Sequence, residues 1–117
     1  MAAMIDVALD EHSGGVVITF RIPKTDHVPV HVVGDFNGWS PTALPMEPDA
    51  NGELVARIAL PRGRRYRFRY FLAESRWEND WAADDYAPNE FGRDDSVIDL
   101  SPGGPHWPRS TRTTPDP

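Results

Sequence analysis

No cysteine occurs in the 117 residues, which removes disulfides and thiolate metal ligands as sources of stability or chemistry. No long apolar run is present, and the opening Met1-Ala2-Ala3-Met4-Ile5-Asp6 has no basic leader region. That pattern argues against a secretory signal or a membrane span and for the cytoplasm. Net positive charge is also missing: the formal charge is −6, so no long-range attraction draws in nucleic acid, and a neutral partner fits that balance better than a polyanion. Nucleophile-elbow and phosphate-loop motifs do not occur. Helical periodicity never extends beyond about two turns. At 117 residues the chain makes one domain, too small for a sugar-processing (β/α)₈ barrel of roughly 250 residues.

What is present is alternation. Val16, Ile18, Phe20 and Ile22 share one face of a strand, with Thr19 and Arg21 between them. Val28, Val30 and Val32 repeat the pattern opposite Pro29, His31 and Val33; Leu54, Ala56, Ile58 and Leu60 do so again. Tyr66, Phe68, Tyr70 and Leu72 alternate with Arg65, Arg67, Arg69 and Phe71. Met4 to Leu9 reads as an opening strand and Ser96 to Leu100 as a closing one, with Ile98 and Leu100 inward. Turn residues separate these runs: Ser13-Gly14-Gly15, Asp49-Ala50-Asn51-Gly52 and Pro61-Arg62-Gly63-Arg64, the last read as a hairpin connection. Ala82 to Tyr86 is expected to form a helical turn at most. Period-2 strands joined by short turns predict an all-β, two-sheet antiparallel sandwich over residues 1–100. Five of the 12 prolines, Pro102, Pro105, Pro108, Pro115 and Pro117, crowd the end of the chain. Residues 101–117 therefore read as a disordered tail, with Trp107 as the residue able to dock it.

Two loop segments carry tryptophan: Gly34-Asp35-Phe36-Asn37-Gly38-Trp39 and Arg76-Trp77-Glu78-Asn79-Asp80-Trp81. Most tryptophans in small β domains fill cores. Trp39, however, follows Asn37-Gly38 in a polar loop, and Trp77 follows the turn-like Ala73-Glu74-Ser75-Arg76. An exposed indole covers the apolar C–H face of a pyranose, worth roughly 1–3 kcal/mol per ring if about 50–100 Å² leaves water. Two such platforms predict reversible binding, on the order of micromolar to millimolar. The run Arg62, Arg64, Arg65, Arg67, Arg69 reads as a turn and the solvent face of a strand, not a nucleic-acid site, because the rest of the chain is acidic. Arg69 remains a candidate donor to sugar hydroxyls, since a guanidinium donates several bonds in one plane. Glu78 and Asp80 would lie about 6.6 Å apart along a strand, near the spacing of paired glycosidase carboxylates. Spacing alone is a weak signal, and ordinary ion pairing explains them as well. No twelve-residue calcium loop is present. His27 and His31 would sit about 13 Å apart on a strand, too far to chelate one ion. No cofactor or metal is expected.

The string Val30-His31-Val32-Val33-Gly34-Asp35-Phe36-Asn37-Gly38-Trp39 resembles the opening of the glycogen-binding, early-set modules of isoamylases, branching enzymes and the AMP-activated protein kinase β subunit. The likeness continues through Leu60-Pro61-Arg62-Gly63, Tyr66-Arg67-Phe68-Arg69-Tyr70, Arg76-Trp77-Glu78-Asn79-Asp80 and Phe91-Gly92-Arg93-Asp94-Asp95-Ser96-Val97-Ile98. It covers about Val16 to Leu100 and is most like the small free-standing bacterial members. The resemblance implies an immunoglobulin-like sandwich and non-catalytic binding of α-1,4-glucan: glycogen, starch or maltodextrin. It further implies a glycogen-metabolism enzyme or regulatory protein as a second kind of partner. By the same resemblance Trp39 and Trp77 match the two sugar-stacking tryptophans, and Arg69 falls near a sugar-bonding lysine. Phe91 takes the place of a leucine that inserts against the glucan. Asp95 stands where glycogen binders have asparagine, and Arg93 where they have threonine. A carboxylate lacks the donors of an amide. Those two departures support an alternative, a protein-interaction or regulatory domain that keeps the sandwich without sugar binding.

Overall fold

The computed structural model describes residues 4–10, 12–73, 76–80 and 82–107. Among the described residues nine strands follow in chain order: β1 (Met4–Leu9), β2 (Val16–Ile22), β3 (His31–Gly34), β4 (Glu47–Pro48), β5 (Leu54–Leu60), β6 (Arg65–Leu72), β7 (Arg76–Glu78), β8 (Asp85–Pro88) and β9 (Asp94–Asp99). They form two antiparallel sheets, ordered β1-β2-β5-β4 and β3-β6-β9-β8, with β7 also paired to β6. The protein is an all-β sandwich. A short 3₁₀ turn spans Asp35–Asn37.

Alternation explains the core. The inward residues of β2 meet Phe68, Tyr70, Leu72 and Ile98 of the facing sheet in one buried cluster. Phe20 sits at its centre, with ring centroids 5.1 Å from Phe68 and 6.3 Å from Tyr70. Turn chemistry closes β4 onto β5 as the sequence indicates. Asp49 Oδ1 accepts from the amides of Asn51 and Glu53 at 2.8 and 3.1 Å, and Gly52 takes φ 81°.

Several expectations need correction. Pro61-Arg62-Gly63-Arg64 is not a hairpin: β5 and β6 belong to different sheets, and the segment crosses between them. The Tyr66 hydroxyl donates to the Pro61 carbonyl at 2.7 Å and pins that corner. Val28 does not join Val30 and Val32 inside; it is exposed, and β3 begins only at His31. Val33, expected outward, is fully buried, so β3 is covered on both faces. Residues 44–46 run back along the edge of β3, through Val32 N to Leu44 O and Met46 N to Val30 O, each 2.9 Å. Asp85 and Tyr86 lie in β8 and not in a helical turn. Residues 101–107 pack onto the domain. His106 Nε2 donates to the Asp84 carboxylate at 2.9 Å, and the Arg62 guanidinium lies 4.4 Å from the Trp107 ring centroid. The rest of the expected tail, residues 108–117, falls outside the described residues.

Candidate functional site

Trp39 is set by a loop whose geometry is dictated residue by residue. Gly34 passes so close to β6 that a Cβ there would sit 2.4 Å from the Arg67 carbonyl oxygen and 2.7 Å from the Phe36 ring. Only glycine tolerates that approach. Phe36 then turns inward, its ring 6.2 Å from Phe20 and 6.3 Å from Tyr66. Asn37 ties the turn in both directions: Oδ1 accepts from Gly34 N at 3.1 Å, and Nδ2 donates to Val32 O at 3.0 Å. Gly38 and Trp39 follow with φ 65° and 58°. A left-handed conformation costs a non-glycine residue roughly 1–3 kcal/mol, and here Trp39 N is held 2.8 Å from Gly34 O. With Phe36 committed to the core, the chain reverses and leaves the Trp39 side chain 39% exposed.

Trp77 comes from β7, whose pairing with β6 puts it opposite Phe71. The two ring centroids are 4.4 Å apart, and the Arg69 guanidinium lies 5.6 Å from the indole. Phe71 backs the indole, and Trp77 keeps 41% of its surface open. A buried polar knot anchors this short strand. Ser96 Oγ donates to Asn79 Oδ1 at 2.7 Å and accepts from Asp80 N at 2.9 Å. Tyr70 OH donates to Asp80 Oδ2 at 2.6 Å, and Ala82 N to Oδ1 at 2.7 Å. Burial pushes the Asp80 carboxyl above its ordinary value, against the opposing hydrogen bonds from Tyr70 and Ala82. Burial, together with the Asp80 charge and bond, pushes the Tyr70 phenol well up.

Phe91 stands at the tip of the β8–β9 turn, 80% exposed. Asn89 shapes that turn: its Oδ1 accepts from Phe91 N at 2.9 Å and Arg93 N at 3.1 Å, while Gly92 takes φ 75°. Asn89 Nδ2 donates to Asp95 Oδ1 at 3.1 Å. Arg67 Nη1 reaches Pro88 O at 3.2 Å and Asp95 Oδ2 at 3.5 Å.

These three elements converge on one open groove of about 550 Å³. Trp39, Arg69, Trp77, Phe91 and Asp95 all line it, so every site residue expected from the sequence lies on the same face. Asp95 is the outlier in character: it is 4% exposed, and each of its oxygens already has a partner in the wall. Sequence reasoning missed Arg67 and Asn89 as groove residues and Asn79, Asp80 and Ser96 as the support beneath Trp77. The asparagine-aspartate pair after the tryptophan was the available signal, hidden within an acidic stretch.

Glu78 and Asp80 do not form an acid–base pair. Glu78 is bound by Arg76 at 3.0 Å, and Asp80 is sealed at 0% exposure. Among the described residues no group of three or more histidine, aspartate and glutamate side chains is arranged to hold a metal ion. What the groove offers is aromatic surface edged by guanidinium donors, an arrangement suited to holding a ligand. No protein-family model and no curated protein matches the chain.

Proposed function

We propose that this protein is a non-catalytic module of immunoglobulin-like, early-set type that binds α-1,4-glucan by stacking sugar rings on Trp39 and Trp77. Phe91 supplies an apolar wedge and Arg69 is the polar partner at the opening, while Asp95 contributes from the wall, through its bonds to Arg67 and Asn89. The observation that carries this reading is the convergence of three partly open aromatic rings on one groove of about 550 Å³, within the usual range for ligand sites. Support for the immunoglobulin-like assignment comes from the strand order β1-β2-β5-β4 facing β3-β6-β9 and from the Tyr66 corner bond, both features of that fold. The reading sets the protein in the cytoplasm beside glycogen-metabolism enzymes; no helix among the described residues is long and apolar enough to cross a membrane.

The test is retention on immobilised glycogen or amylose. Wild-type protein is held back and released by free maltodextrin, whereas a folded Trp39→Ala/Trp77→Ala variant elutes with the void. Equal elution of the two proteins rejects the proposal. A second reading, a docking face for a protein partner, draws support from Phe91 at 80% exposure and from the wall bonds that occupy Asp95. A lysate partner that stays bound in excess glucan favours it.

A further inference from the structure

We propose that the groove prefers α-glucan chains carrying phosphate monoesters over neutral ones, an inference that rests on the glucan reading above. The chain as a whole carries −6, yet this groove is lined by three arginines, Arg67, Arg69 and Arg93, against two carboxylates, Glu90 and Asp95. One of those carboxylates is already neutralised within the wall, since Asp95 is bound by Arg67 at 3.5 Å and is 4% exposed. Two cations and one anion are left facing the opening.

The other arginines on or beside this sheet are spoken for. Arg64 pairs with Asp35, Arg65 with Asp85 and Arg76 with Glu78. Arg69 and Arg93 have no ion pair among the described residues. Arg69 is further set apart because its Nε is buried without a hydrogen-bond partner. Its guanidinium has therefore lost part of its water shell with no carboxylate in exchange, so less hydration remains to be displaced when an anion arrives. Its position 5.6 Å from the Trp77 ring centroid puts the charge beside the surface on which a sugar would stack. Arg93, immediately before β9, approaches from the Phe91 side of the same groove.

Neutral hydroxyls accept hydrogen bonds from a guanidinium but leave its charge unmatched. A phosphate monoester presents three acceptor oxygens and up to two negative charges, and the planar guanidinium fork matches it in bidentate fashion. A phosphoglucose unit near Trp77 would keep its apolar face on the indole and direct its ester group to Arg69 and Arg93. The division of labour is testable: the rings bind the chain, and the arginines select the charged one.

The experiment is calorimetric titration of the full chain with maltoheptaose and with phosphorylated maltodextrin of similar length from an amylopectin digest. Inorganic phosphate alone serves as the control. The expected result is about tenfold tighter binding of the phosphorylated chain. That advantage fades as added salt shortens the screening length from about 10 Å at 0.1 M to about 3 Å at 1 M. In Arg69→Gln and Arg93→Gln variants, checked for fold by circular dichroism, the ratio of the two affinities falls towards one, whatever happens to neutral binding. Equal or weaker binding of the phosphorylated chain, with maltoheptaose still bound, overturns the preference and leaves the glucan reading standing. Binding of neither sugar overturns both. Inorganic phosphate binding as tightly as the phosphorylated chain makes this a plain anion site and refutes the proposal.

Discussion

Replacing Trp77 with alanine separates a binding surface from a structural one. The side chain is 41% exposed; for an indole of roughly 250 Å² that leaves about 100 Å² in water. A glucose ring covering half to all of that area gains about 1–3 kcal/mol at ~25 cal/mol per Å². Trp77→Ala therefore weakens maltoheptaose binding about tenfold to a hundredfold. The cost to stability is smaller than for a core aromatic, because β7 is a three-residue strand and Trp77 packs mainly on Phe71. Isothermal titration gives the affinity, and a thermal melt by circular dichroism gives the fold. An unchanged affinity in a folded variant refutes the stacking role. A variant that no longer folds shows instead that Trp77 belongs to the core, which is equally fatal to the reasoning.

Gly34→Ala is expected to lower stability by about 2–4 kcal/mol, since the new Cβ meets the Arg67 carbonyl oxygen at 2.4 Å; an unshifted melting temperature contradicts that packing. Asp80 makes stability pH-dependent in a definite direction. Its folded carboxyl is raised above the ordinary 3.8, so the folded state binds the proton more tightly. This group's contribution is complete below the unfolded value and is lost as pH rises through the folded one. Asp80→Asn removes that dependence, and the difference in stability between wild type and variant shifts in favour of wild type on mild acidification. Asp49, Asp85 and Asp99 act oppositely: hydrogen bonds hold their carboxyls low, so their contributions vanish as pH falls through their folded values. Urea titrations on the mildly acid side above 3.8 follow Asp80, and more strongly acid solutions below it follow the other three; a pH-independent difference between wild type and Asp80→Asn sinks the assignment.

The sandwich was legible because β2 and β6 turn alternate residues to the core, and burying one face of each leaves few architectures open; β5 departs from the pattern at Val55, which is buried at an outward position. Connection was less legible than direction. Pro61-Arg62-Gly63-Arg64 says that the chain turns, but nothing local distinguishes a hairpin from a crossing to the facing sheet. β8 escaped notice because Asp85-Tyr86-Ala87-Pro88 has no apolar alternation; cross-strand pairing with β9 and the Arg65–Asp85 ion pair hold it instead. Val33 looked outward by period and is buried, since period alone does not say whether a sheet's second face is covered. At the site, the exposed side chains announced themselves, and their convergence was expected from the family likeness. Asp80 did not, because a buried aspartate and a solvated one are the same letter until Tyr70, Ser96 and Ala82 are folded around it.

One titration bears most directly on all of this: maltoheptaose added to wild-type protein while tryptophan emission is followed. Sugar covering two half-open indoles must change their emission saturably, with a midpoint on the order of micromolar to millimolar. Emission that stays flat, or drifts without saturating through tens of millimolar, contradicts the account.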